Sequence, residues 1–258
     1  MPVICGAVIF LTQNSIMRLF HQLVKVISLL FIILITSADF AKAQISVEGG
    51  ISVGFNRHTF SVDDDSGILR PGIALAGTYG FPILIKKNKW ELHTGFYGND
   101  LSQSFYFATP NGATYGERSY SNGISSYKFP LRIGRTIQWT NVTTLSPQIG
   151  FSWLTNRRTG QTGSGGGSYG SRVEYSFENS AVNKNKFMAE AGLDVNFSVF
   201  RNLILTLGAQ YSLGLQTVQE FDVTYQFNDQ TYEGTVKSRG SGWKFNLGLK
   251  IPFYSGKR

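Results

Sequence analysis

The 258-residue chain holds one cysteine, seven prolines, three histidines and only 16% charged residues, and each scarcity closes off a class of protein. The single thiol, Cys5, lies ahead of an apolar stretch that reads as an export signal. The chain that follows therefore needs no disulfide and cannot mispair in an oxidising compartment. No run of about 18 or more apolar residues occurs, which excludes a bundle of membrane helices. A mean hydropathy near zero excludes a disordered polar chain. Beyond the signal there are two histidines and no cysteine, so no metal-ligand spacing exists and no cofactor is expected. The segment T-G-Q-T-G-S-G-G-G-S, within 156–170, lacks the G-K-[ST] step and the following helix of a phosphate loop, and reads as a flexible linker.

The front of the chain has its own organisation. Residues 26–35, V-I-S-L-L-F-I-I-L-I, follow Arg18, His21 and Lys25 and precede small residues at Ala41 and Ala43. A basic lead, a short apolar core and a small-residue site predict a signal peptide cleaved before Gln44, which divides the chain into an N-terminal extension with signal (1–43) and one β domain (44–258). Met17 opens a signal of conventional proportions, so translation is expected to start at Met1 or Met17. Removing Arg18, Lys25, Lys42 and Asp39 from 24 basic and 16 acidic residues leaves 21 and 15, a mildly basic exported chain.

What the chain does have is alternation. Between 203 and 217 it reads L-I-L-T-L-G-A-Q-Y-S-L-G-L-Q-T, with Leu203, Leu205, Leu207, Ala209, Tyr211, Leu213 and Leu215 in one phase. Thr206, Gly208, Gln210, Ser212, Gly214 and Gln216 fill the other. A period of two marks a strand, and this length exceeds the roughly 5–6 residues usual in soluble sheets while suiting a tilted strand of about 9–11 residues across a bilayer. The same pattern recurs at 44–56, 70–85, 90–99, 125–134, 145–155, 186–199 and 243–253. Connections one, three, five and seven are long and polar; two, four and six are short. An even count of antiparallel strands with long turns at one rim and short turns at the other predicts an all-β, eight-stranded antiparallel up-and-down transmembrane β-barrel. It places the protein in the outer membrane of a Gram-negative envelope.

Composition decides which face looks out. A soluble barrel of the lipocalin kind would carry roughly a quarter to a third charged residues on its wet face. The second phase here is mostly Gly, Ala and Ser, which suits the crowded interior of an eight-stranded barrel. Trp90, Trp139, Trp153, Trp243, Tyr79, Tyr127 and Phe253 lie near strand ends in the apolar phase, where amphipathic rings suit the membrane interface. With that phase outward, the lumen receives Glu48, Glu91, His93, Lys128, Arg132, Glu190, Asp194, Lys244 and Lys250. Buried ions persist only when paired, so a salt-bridged polar plug is expected rather than a pore, with Glu91 beside Arg132 and Glu48 towards Lys250.

Few residues suggest chemistry. His58, near Ser61 and Asp63, Asp64 and Asp65, is the one triad-like grouping outside the lumen, and reads as a rim histidine beside a charged loop. The same aspartates lack the spacing of a calcium loop. Lys86, Lys87, Lys89, Arg135, Arg201, Lys257 and Arg258 gather at the short-turn rim, suiting anionic headgroups of outer-membrane lipids rather than nucleic acid. The polar Tyr/Asn/Gly-rich loops suit exposure and an extracellular ligand. A non-enzymatic structural or surface-interaction role is expected; the competing classes are a barrel-embedded lipid-modifying enzyme and a soluble lipocalin-like carrier.

The fourth strand, S-Y-K-F-P-L-R-I, with a compact turn and a later Q-I-G-F, resembles the PorT-like family of outer-membrane β-barrels, small barrels of the OmpA/OmpX kind. That resemblance implies a barrel inserted by the outer-membrane assembly machinery. It departs from the family's pattern at Lys128, where an acid is common, and at its end, where Phe253-Tyr254 is followed by four more residues.

Overall fold

The computed structural model describes residues 45–108, 114–156, 161–169, 171–180, 185–200 and 202–255, strands joined by turns and short irregular segments. The expected signal peptide and its cleavage site lie outside these residues, as do Cys5, Arg201, Lys257 and Arg258. In chain order the strands are β1 (Ile45–His58), β2 (Ser61–Asp64), β3 (Leu69–Pro71), β4 (Ala74–Lys87) and β5 (Trp90–Ala108). Next come β6 (Thr114–Arg135), β7 (Ile137–Gln138), β8 (Thr143–Asn156), β9 (Gln161–Tyr169) and β10 (Ser171–Ser180). The chain ends with β11 (Asn185–Phe200), β12 (Leu203–Gly214), β13 (Gln219–Phe227), β14 (Gln230–Ser238) and β15 (Gly242–Ser255).

Eight of them pair in the order β11-β12-β15-β1-β4-β5-β6-β8, and β8 returns to β11, so the sheet closes. Every pairing is antiparallel. This is the expected up-and-down barrel. Two short strands ride on it, β3 on β5 and β7 on β8.

The alternation resolves as the sequence implies. Ile51, Val53, Leu75, Tyr79, Ile149, Phe151, Leu207 and Leu247 point away from the barrel axis and are each more than 40% exposed. Their neighbours Ser52, Asn56, Thr78, Gln148, Ser152, Thr206 and Lys250 are buried inside. A barrel with its oil outside and its polar groups inside is stable only in lipid, which excludes the lipocalin arrangement. On β15 the apolar face runs from Trp243 to Phe253; at about 3.3 Å per residue and a tilt near 40° that spans roughly 25 Å, the height of a lipid-facing band. Aromatic rings edge the band at both ends. Phe129 stacks on Trp153 at 5.2 Å and Tyr211 meets Trp243 edge-on at 5.2 Å near the long-connection end. Trp90, Trp139, Phe200 and Phe253 are exposed near the short turns.

The long connections differ from expectation. The 61–67, 156–170 and 218–237 segments read as polar loops or linker, yet β2, β14, β13, β10 and β9 pair in that order into a second antiparallel sheet. The strands expected at 90–99 and 125–134 also run on past the barrel, as the ends of β5 and β6. One face of the second sheet packs on β3 and the far end of β5. Phe105, Phe107, Tyr175, Phe177, Phe221, Val223, Tyr225, Phe227, Val236, Ile68 and Leu69 form one buried cluster between them. Phe105 meets Tyr175 edge-on at 5.6 Å, and Phe107 lies 5.0 Å from Tyr225. Each fully buried ring contributes about 1.5–3 kcal/mol, enough in sum to order connections that would otherwise stay loose.

Two local devices hold this sandwich in shape. Asn228 and Asp229 both have positive φ (50° and 61°), the two-residue turn whose twist suits a tight hairpin between β13 and β14. Asp64 organises the bend after β2: its Oδ2 accepts from the Ile68 and Leu69 amides at 2.9 Å, and its Oδ1 from the Tyr225 hydroxyl at 2.8 Å. Burial pushes the Tyr225 phenol above its ordinary pKa, so it remains a donor. The Asp63-Asp64-Asp65 run is thus partly a folding element, not only a solvated tip.

Candidate functional site

All nine residues expected in the lumen are there, none more than 6% exposed. Glu48 comes from β1, Glu91 and His93 from β5, Lys128 and Arg132 from β6, Glu190 and Asp194 from β11, and Lys244 and Lys250 from β15. They separate into two groups along the barrel. Nearer the long connections, Glu190 pairs with Lys128 and lies 3.7 Å from Arg132 Nε, while Ser152 and Ser212 donate to its Oε1 at 3.1 and 3.0 Å. Nearer the short turns, Lys86 bridges Glu48 at 2.7 Å and Glu91 at 3.7 Å. Glu91 also meets His93 Nε2 at 3.0 Å, and the Thr136 hydroxyl donates to it. Asp194 stands 4.0 Å from both His93 Nδ1 and Lys250 Nζ.

The two expected pairs are corrected. Glu91 does not meet Arg132; its partners are His93, Lys86 and Thr136. Register explains it, because Glu91 lies opposite Gly134, and it is His93 that faces Arg132. Arg132 reaches across β8 instead: Arg132, Gly150 and Glu190 stand in one cross-strand row. Gly150 permits this, since a Cβ there would lie 2.6 Å from Arg132 Cα and 2.2 Å from the Leu131 carbonyl. Glu48, opposite Pro252 and diagonal to Lys250, turns to Lys86. Lys86, expected at the rim facing headgroups, is in phase with buried Leu84 and points inward. Lys89 and Arg135 do stay exposed at that end.

Residues not singled out from sequence join this network. Asn196 Oδ1 accepts from Lys250 Nζ at 3.1 Å and Thr206 Oγ1 at 2.8 Å, and its amide donates to Ser146 at 3.3 Å. The Lys244 ammonium sits 3.9 Å over the Tyr97 ring, an attraction worth about 2 kcal/mol or more when desolvated. Their signal in the sequence is the lumen phase itself, which carries Asn and Thr as regularly as it carries charge. These contacts tie strands to one another across the lumen.

His58 is likewise inside, 7% exposed at the long-connection end of β1, opposite Gly242 and Ala74. Ser61 and Asp63 belong to the other sheet, opposite Lys237 and Thr235, so the triad-like spacing does not describe one face. Among the described residues no three His, Cys, Asp or Glu side chains gather as a metal site.

Comparisons with known proteins return outer-membrane barrels at low identity. The N-terminal β-barrel domain of Pseudomonas aeruginosa OprF aligns over 82% of this chain and 100% of its own at 12% identity and TM-score 0.41. The Neisserial surface protein A aligns over 81% and 97% at 10% identity and TM-score 0.38. The outer membrane protease OmpT from Escherichia coli aligns over 81% and 97% at 11% identity and TM-score 0.37. No family model and no curated protein matches the chain, so the PorT-like resemblance rests on its short motif alone.

Proposed function

We propose that this chain is a non-enzymatic outer-membrane β-barrel that carries a shaped β-sandwich on the cell surface and serves a structural or surface-interaction role. The supporting observation is the buried aromatic cluster shared by β3, β5, β10, β13 and β14. A barrel needing only to close its turns has no use for a second core; a surface that must keep its shape does. By the rule that long connections face outward, the sandwich lies outside the cell and the short turns face the periplasm. There, exposed Lys89 and Arg135 beside exposed Trp90 and Trp139 suit the headgroup region of outer-membrane lipids. Insertion relies on the outer-membrane assembly machinery, and an extracellular ligand would meet the sandwich. The lumen, filled by the ion-paired plug, conducts no ions.

A membrane-impermeant amine reagent tests the orientation on intact cells. Lys237, 42% exposed on the outer face of β14, should be labelled at once, and Lys89 only after the outer membrane is permeabilised. Labelling of Lys89 first would reverse the orientation. Planar-bilayer recordings of the purified barrel should show no unit conductance steps.

A further inference from the structure

Inside the barrel, between the two charged groups, lies a small cavity of about 20 Å³ as measured by the space open to a water's centre. One water needs roughly 10–15 Å³ on that measure. Arg132, Asp194, Asn246 and Lys250 border it, together with Ser52, Thr206 and Gln210. Three of these bring buried polar atoms with no hydrogen-bond partner: Arg132 Nη1, Asp194 Oδ1 and Asn246 Oδ1. Arg132 and Asp194 are 3% and 4% exposed, so bulk solvent does not meet the need.

The backbone shows why the oxygens converge. Asp194, Gly208 and Asn246 stand in one row across β11, β12 and β15. Gly208 has no Cβ to hold the two side chains apart: one there would come within 2.5 Å of both Asp194 Oδ1 and Asn246 Oδ1. We propose that this cradle is a binding site for one structural water, which accepts from the Arg132 guanidinium and donates to Asp194 and Asn246. The chemistry selects water over ions. A halide would satisfy Arg132 but face two oxygen lone pairs, and a metal cation would suit the oxygens but face Arg132 and Lys250. A neutral molecule that both donates and accepts serves all three. The bound water joins the Glu190–Arg132 group to the Asp194–His93–Glu91 group, making the two halves of the plug one hydrogen-bonded unit.

Crystals of the full detergent-solubilised chain, grown in sodium bromide and refined at high resolution, test the site. The expected result is one water peak within hydrogen-bond distance of Asp194, Asn246 and Arg132, with no anomalous bromide signal. A bromide peak overturns the proposal, as does an Asn246 amide bound directly to Asp194 with no solvent between. Gly208→Ala pushes both oxygens out of place, since its Cβ would come within 2.5 Å of each, so the water peak should vanish in that variant. A water peak kept at the same place in that variant would contradict the site, and the wild-type crystal decides if this variant does not fold.

Discussion

The barrel and the sandwich are written in the same two-residue alphabet and fold inside out relative to each other. In β15, Trp243, Phe245, Leu247, Leu249 and Ile251 face outward, with Lys244 and Lys250 buried between them. In β13, Phe221, Val223, Tyr225 and Phe227 are the buried set, and Asp222, Thr224 and Gln226 are exposed. Both are amphipathic strands. The difference is the solvent: lipid around the first, water around the second, so polar groups retreat to the lumen in one and come to the surface in the other. The lesson is that alternation specifies two faces, and only the composition of the polar face says which is wet. The lumen face mixes small residues with charges that pair among themselves, whereas β13, β14 and β10 present Asp222, Glu233, Glu174 and Glu178 to water.

The contrast can be broken at either end. Glu190→Gln, which leaves Lys128 and Arg132 facing a neutral amide in the lumen, should cost about 3–5 kcal/mol, seen as a lower temperature for the heat-dependent gel-mobility shift. Phe107→Ala should cost a similar or slightly smaller amount, about 3–4 kcal/mol, but confined to the sandwich. Limited proteolysis should open 161–180 and 219–238 while the barrel's mobility shift stays where it was; joint loss of both would mean the regions fold as one unit. Leu247→Arg, near mid-band on the lipid face, should cost about 2–4 kcal/mol in lipid vesicles. The smallest effect belongs to the Glu220–Lys237 pair on the sandwich: at 3.3 Å but about a third exposed, Glu220→Ala should change stability by no more than about 0.5 kcal/mol after screening.

How much was legible in sequence follows the same division. The barrel strands announce themselves because each carries three or more apolar residues in phase and because short turns such as 86–89 leave little doubt about pairing. The lumen set follows from that phase alone. Individual partners do not, because a partner depends on the reach of a side chain across a row: Arg132 passes Gly150 to Glu190, and Lys86 curls in from the last residues of β4. Continuing the small-residue phase Thr78, Gly80 through 82 and 84 to 86 was the available signal for Lys86. The sandwich was missed for a different reason. Phe221, Val223, Tyr225 and Phe227 alternate as cleanly as any barrel strand, yet their partners come from four other stretches, and β9 is glycine-rich with almost no side-chain pattern to read. Long-range pairing of short strands leaves only a weak trace in any single window.

Whether lipid bathes the apolar face is best settled along β15. Single spin-labelled cysteines at 243 to 251, placed in the chain with Cys5 replaced and reconstituted in vesicles, report accessibility to oxygen and to a water-soluble nickel chelate. Labels at 243, 245, 247, 249 and 251 should collide with oxygen and not with nickel, and those at 244, 246, 248 and 250 with little of either. Nickel reaching the odd positions, or oxygen favouring the even ones, would mean that the oily face does not meet the membrane.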